Sequence, residues 1–157
     1  MSTPSERLWA RRAEWDEHRS PPGERAGPLS HGRVGVPMTL AVTAHRIIEG
    51  TELRAAVADF LDDLRWAHDE VDVAGRVDVE PRLVTSHVDA YLGALAEHVT
   101  GLHRLVAPAW TRKPERFLDH FWWPSRTVGL QARALVESPA AFRRRGIFIG
   151  RSTLRRV

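Results

Sequence analysis

Cysteine is absent from this chain of 157 residues, which excludes disulfide bonds and every thiolate metal site. That composition fits a reducing compartment. Long apolar runs are missing too. Hydrophobic stretches are short and interrupted by charge, well under the roughly 20 residues that cross a bilayer, and the opening MSTPSERLWARRAEW has no signal-peptide core. The expectation is a cytoplasmic protein with no membrane partner. Lysine is scarce as well: only Lys113 interrupts an otherwise all-arginine set of 23 basic residues. A GC-rich genome is expected to produce such a bias, so abundant arginine does not by itself argue for phosphate recognition. What is present is 43% apolar residues, enough for one hydrophobic core at this length.

The net charge of +3 conceals an uneven layout, with +1 over residues 1–37, −6 over residues 38–109 and +8 over residues 110–157. A chain so polarised can neutralise itself by folding its basic end over its acidic middle, or it can offer each pole to a different partner.

Residues 1–37 mix Pro, Gly, Ser and charge without a sustained apolar period. They read as a poorly ordered N-terminal extension with one short helix over residues 5–19. The working domain is expected to start near Met38 and to occupy residues 38–157, with the preceding tail an extension or the product of an upstream start codon. Leu53, Val57, Phe60, Leu61 and Leu64 recur at helical intervals, which predicts an amphipathic helix over residues 52–67, with Thr51 as N-cap and Trp66 on its buried edge. The broken alternation of Val71, Val73, Val77 and Val79 around Gly75 and Pro81 reads as a loop. A second helix over residues 87–100 follows from the stripe Val88, Tyr91, Leu92, Leu95, Val99, with Ser86 and Asp89 resembling a capping box and Gly101 near the stop. Phe117, Leu118, Phe121 and Trp122 predict a short aromatic helix closed by Pro124. Trp110, Phe117, Phe121, Trp122 and Phe142 are expected to hold the C-terminal module together. A further helix covers residues 128–137, with Leu130, Ala134 and Leu135 inward. The last helix has Ser138 as N-cap, Pro139 as first residue and Gly146 as left-handed stop; it is followed by an extended strand or hook through Ile147–Phe148–Ile149 and a terminal turn. The fold class is mostly α, a compact small helical domain with a short C-terminal extended segment.

Chemistry-bearing patterns are scarce. Of eight histidines, none makes an HExxH or a close HxxxH pair. His87 and His98 share a flank of the second helix but stand about three turns, roughly 16 Å, apart, too far for one ion. Ser86, Ser125, Ser138 and Ser152 fall at caps or loops, and no G-x-S-x-G elbow occurs. Asp62 and Asp63 are adjacent on a helix, about 100° apart, and do not form a shared-proton dyad. GIFIGRS has neither phosphate-loop spacing. The reading is non-enzymatic, with no cofactor and no metal.

Two ionic surfaces remain. Asp59, Asp62, Asp63 and Glu70, on the first helix and its adjoining loop, suit docking to a basic, nucleotide-binding protein surface, where complementary charge raises the association rate. Arg143, Arg144, Arg145, Arg151, Arg155 and Arg156 suit salt-sensitive binding of DNA or RNA backbone. Arg143, Arg144 and Arg145 also fall in a helix's last turn, where cations meet the negative helix end.

The run from Ala107 to Gly150 resembles the C-terminal signature of a family of small, mostly actinobacterial proteins. The pieces that carry the resemblance are Pro108-Ala109-Trp110, Arg116-Phe117-Leu118-Asp119, Phe121-Trp122-Trp123-Pro124 and Glu137-Ser138-Pro139-Ala140-Ala141-Phe142 through Gly146. It extends more loosely to the helices near Leu53 and Val88, and not to residues 1–37. Members resemble antitoxin-like proteins encoded beside a minimal nucleotidyltransferase-like toxin. The resemblance therefore implies a binder that neutralises such a toxin, and it supplies no catalytic residues. The enzyme of such a pair needs a Gly-Ser motif and paired metal-binding acids, which this chain lacks in suitable context. The alternative is a DNA- or RNA-binding transcriptional regulator using the C-terminal arginines.

Overall fold

A computed structural model describes residues 36–155, which lie within one compact unit. The expectations for the N-terminal extension and for Arg156 fall outside the described residues. The described chain is mostly helical. Its α-helices are α1 (Leu40–Ile48), α2 (Leu53–Leu64), α3 (Glu70–Val77), α4 (Ser86–Leu102), α5 (Val128–Glu137) and α6 (Ala140–Arg143), with single 3-10 turns at Ala109–Arg112, Pro114–Arg116 and Arg151–Leu154.

The central element is α4. Its residues from Val88 to Ala96 are all buried, and α1, α3, α6 and the first two 3-10 turns pack around it. Thr85, one residue before the expected cap, accepts a hydrogen bond from the Val88 N–H (3.4 Å). Asp89 reaches back to accept from the Val84 N–H (2.8 Å). The helix begins and ends a little beyond its expected bounds, and Gly101 lies inside it.

On α2 the apolar stripe Val57, Phe60, Leu61 and Leu64 is buried as its spacing predicts, although no side chain caps its start. Trp66 departs from expectation. The next position of the stripe is taken by Ala67, which packs on the core, and the indole lies outside it.

Where a loop was expected, residues 70–77 form α3. Asp69 caps it by accepting from the Asp72 N–H (2.8 Å). Val73 and Val77, four residues apart, are buried, whereas Val71 and Val79 are exposed. The true period was four, and the two outer valines disguised it as alternation.

The expected aromatic helix does not form either. From Phe117 to Thr127 the chain is irregular, with a parallel bridge between Trp122 and Ile147. The Trp122 N–H donates to the Gly146 carbonyl (2.8 Å) and the Phe148 N–H to the Trp122 carbonyl (2.9 Å), so these groups are taken by the C-terminal hook rather than by a helix ladder. Trp110 and Phe142 are core residues: the Trp110 indole donates to the Val77 carbonyl (3.1 Å), and Phe142 meets Tyr91 edge-on at 5.1 Å. Phe121, expected inside, is 69% exposed.

α5 has its expected bounds, but only Ala134 faces inward; Leu130 and Leu135 are half exposed. Pro139, not Ser138, is the N-cap of α6. Ser138 is buried, donating to the Ile147 carbonyl (3.2 Å) and accepting from the Ile149 N–H (3.3 Å), which fastens the hook. Gly146 has φ +77°, and a Cβ there would lie 2.7 Å from the His120 carbonyl oxygen, so the left-handed stop requires glycine.

Candidate functional site

The arginine run separates into three environments. Arg145 is wholly buried. Its guanidinium donates to Glu97 Oε2 (2.7 Å) and to the carbonyls of Ala141 (2.9 Å) and Thr111 (2.8 Å), and it lies 4.7 Å from the Phe117 ring centre. Desolvation pulls its pKa down, with Glu97 opposing. The expectation of a phosphate-binding Arg145 is therefore corrected: the side chain braces α6 against α4. Arg144 pairs with the same Glu97 and remains half exposed, while Arg143 points into solvent. Arg151 and Arg155 are exposed, and the Arg151 backbone N–H donates to Glu137 (3.1 Å).

Arg116 forms a second internal brace. It is fully buried, donates to the Pro81 carbonyl (2.6 Å), stands 3.7 Å from Asp89 and lies 4.9 Å from the Trp110 ring centre. Both buried arginines cross α4 at Gly93, where a Cβ would stand 3.1 Å from Arg116 Cβ and 3.3 Å from Arg145 Nε. Glycine is the residue that lets the two pass. Burial raises the pKa of Asp89, opposed by the Val84 N–H and Arg116. Together with the Lys113–Glu80 pair (2.7 Å), these contacts lay basic residues of the last third over carboxylates of the middle. The polarised charge pattern is thus partly neutralised within the fold.

The four expected docking carboxylates do not act alike. Asp63 accepts from the Met38 N–H (2.8 Å) and pairs with the buried Arg76, so it ties residue 38 and α3 to α2; its assignment to a docking surface is corrected on that account. Asp59 is engaged by Arg46 (2.7 Å). Asp62 is half-buried on α2, and Glu70 is exposed in the first turn of α3. Asp72, next along α3, holds Arg76 at 3.1 Å, and that hydrogen bond lowers its pKa.

What the sequence reading missed is the corner between α2 and α3. Trp66 is 65% exposed and Val71 is 79% exposed, with Asp69 and Glu70 exposed between them. The signal was available, because Trp66 sits two positions past Leu64 and off the heptad-like stripe that Ala67 continues.

A cleft of about 520 Å³, counting its solvent-open mouth, lies between α5 and the hook, lined among others by Trp123, Leu130, Phe148 and Thr153. Its charged residues Arg133 and Glu137 are paired with each other. No group of three or more His, Asp or Glu able to hold a metal converges among the described residues, and none of their helices is long and apolar enough to cross a membrane. The described chain is a mostly helical fold, with Trp66, Asp69 and Glu70 exposed at the α2–α3 corner and Arg143, Arg151 and Arg155 exposed toward its C-terminal end. No family model, curated protein or solved structure matches the chain.

Proposed function

We propose that this chain is a non-enzymatic, antitoxin-like protein that binds and neutralises a nucleotidyltransferase-type toxin. The observation that carries the docking surface is Trp66, 65% exposed at the turn between two helices and followed within five residues by Asp69, Glu70 and Val71. An indole is the side chain most often found at the energetic centre of a protein interface, and carboxylates around it suit a basic surface such as one that binds nucleotides. The partner's identity rests on the resemblance of residues 107–150. Co-purification with the nucleotidyltransferase and relief of its toxicity test the reading. Trp66→Ala should weaken the complex by roughly 30-fold, the equivalent of about 2 kcal/mol, while leaving the melting temperature unchanged. Equal capture and equal rescue by the variant would remove the docking surface, and absence of any complex would remove the partner.

The exposed Arg143, Arg151 and Arg155 favour a second reading, nucleic-acid binding at the C-terminal end. It requires affinity for a DNA duplex that falls steeply with salt and becomes less salt-sensitive when Arg143 and Arg151 are changed to Gln.

A further inference from the structure

His87, in the first turn of α4, and His120, in the irregular segment ahead of the Trp122–Ile147 bridge, are distant in sequence and adjacent in space. Their Nε2 atoms lie 3.1 Å apart and their ring planes are nearly perpendicular, at 84°. His120 Nδ1 stands 2.6 Å from Asp119 Oδ1. A carboxylate there holds the ring proton on Nδ1 and leaves the Nε2 lone pair facing His87. The His87 ring is supported by Trp122, 4.6 Å away between centres, and Trp122 is itself fixed by backbone bonds to Gly146 and Phe148. Two imidazole nitrogens on one tetrahedral ion, each at roughly 2.0–2.1 Å, stand about 3.3 Å apart. The observed separation is already within a few tenths of an ångström of that.

We infer that His87 and His120 form a two-histidine binding site for a divalent transition-metal ion of the zinc, nickel and copper class, with Asp119 as the carboxylate that orients His120. Water completes the coordination shell, since no third His, Asp or Glu converges there among the described residues. Neutral imidazoles favour these ions over magnesium and calcium, which take oxygen ligands, and copper binds tightest in the ordinary order of affinities. An ion held there joins the start of α4 to the segment before the bridge and so stabilises the folded chain.

The test is calorimetric titration of the full chain with Zn²⁺ and Cu²⁺, with Mg²⁺ as control, alongside melting curves. One equivalent of Zn²⁺ should bind, Mg²⁺ should not, and Zn²⁺ should raise the melting temperature. His120→Gln should weaken Zn²⁺ binding by tenfold or more and abolish the thermal shift, and Asp119→Asn should weaken it about tenfold. His120 is exposed, so its variant keeps the fold; circular dichroism checks this, and His87→Gln provides the second ligand variant. Zn²⁺ affinity within twofold of the native value in both ligand variants would overturn the site, because the ion would then sit on other histidines.

Discussion

A guanidinium taken out of water loses hydration worth several kcal/mol. At Arg145 the loss is offset by Glu97, two backbone carbonyls and the Phe117 ring, whereas Arg143, two residues earlier, keeps its water. The same substitution should therefore have opposite weight at the two positions. Arg145→Gln leaves Glu97 and two carbonyls short of a donor and is expected to cost about 3 kcal/mol, and Arg143→Gln should stay within about 0.5 kcal/mol of the native protein. Urea unfolding of the two variants measures both. Nothing in the run Arg-Arg-Arg distinguishes its members. The difference comes from which of them lies over Gly93, and that is decided by the packing of α6 across α4.

Two helical glycines make the corresponding contrast between elements. Gly93 on α4 is hemmed in by Arg116 and Arg145, and Gly75 on α3 has open space where a Cβ would stand. Gly93→Ala should lower stability by about 1–3 kcal/mol through overpacking, and Gly75→Ala should raise it by about 0.4–1 kcal/mol through the unfolded chain; shifts of opposite sign in the urea midpoint are the readout. Elements defined by their own stripe were legible in the sequence: α2 and α4 from apolar periodicity, α5 in its bounds. Elements decided elsewhere were not. Phe117, Leu118, Phe121 and Trp122 have helical spacing, yet their backbone pairs with the segment near Gly146, and no local period records a partner so far along the chain. The same holds for His87, whose companion on its own helix, His98, stands about three turns away, while His120, beside it in space, lies 33 residues along the chain. At the α2–α3 corner the carboxylates were visible in the sequence, but Asp63 is spent on Arg76 and Met38, and the exposed Trp66 was placed inside.

At the scale of the described fold, the acidic middle and basic end meet at Glu80, Asp89 and Glu97, so part of the polarised charge is taken up in pairs while Arg143, Arg151 and Arg155 stay exposed. Its stability should respond to mild acid through His98. Burial holds that imidazole's pKa below its ordinary value of 6.5, so the folded state favours the neutral ring. The resulting stability is present above about 6.5 and is lost as pH falls through the lower folded value. Unfolding free energy should accordingly decline between pH 7.5 and 5, and His98→Gln should flatten that decline when the two urea profiles are compared. Trp110, bonded to the Val77 carbonyl within the core, and Trp66, standing in water at the α2–α3 corner, differ in one more respect. A dissolved fluorescence quencher reaches the second indole and not the first, so of these two tryptophans one reports optically on loss of the fold and the other on whatever covers the exposed corner.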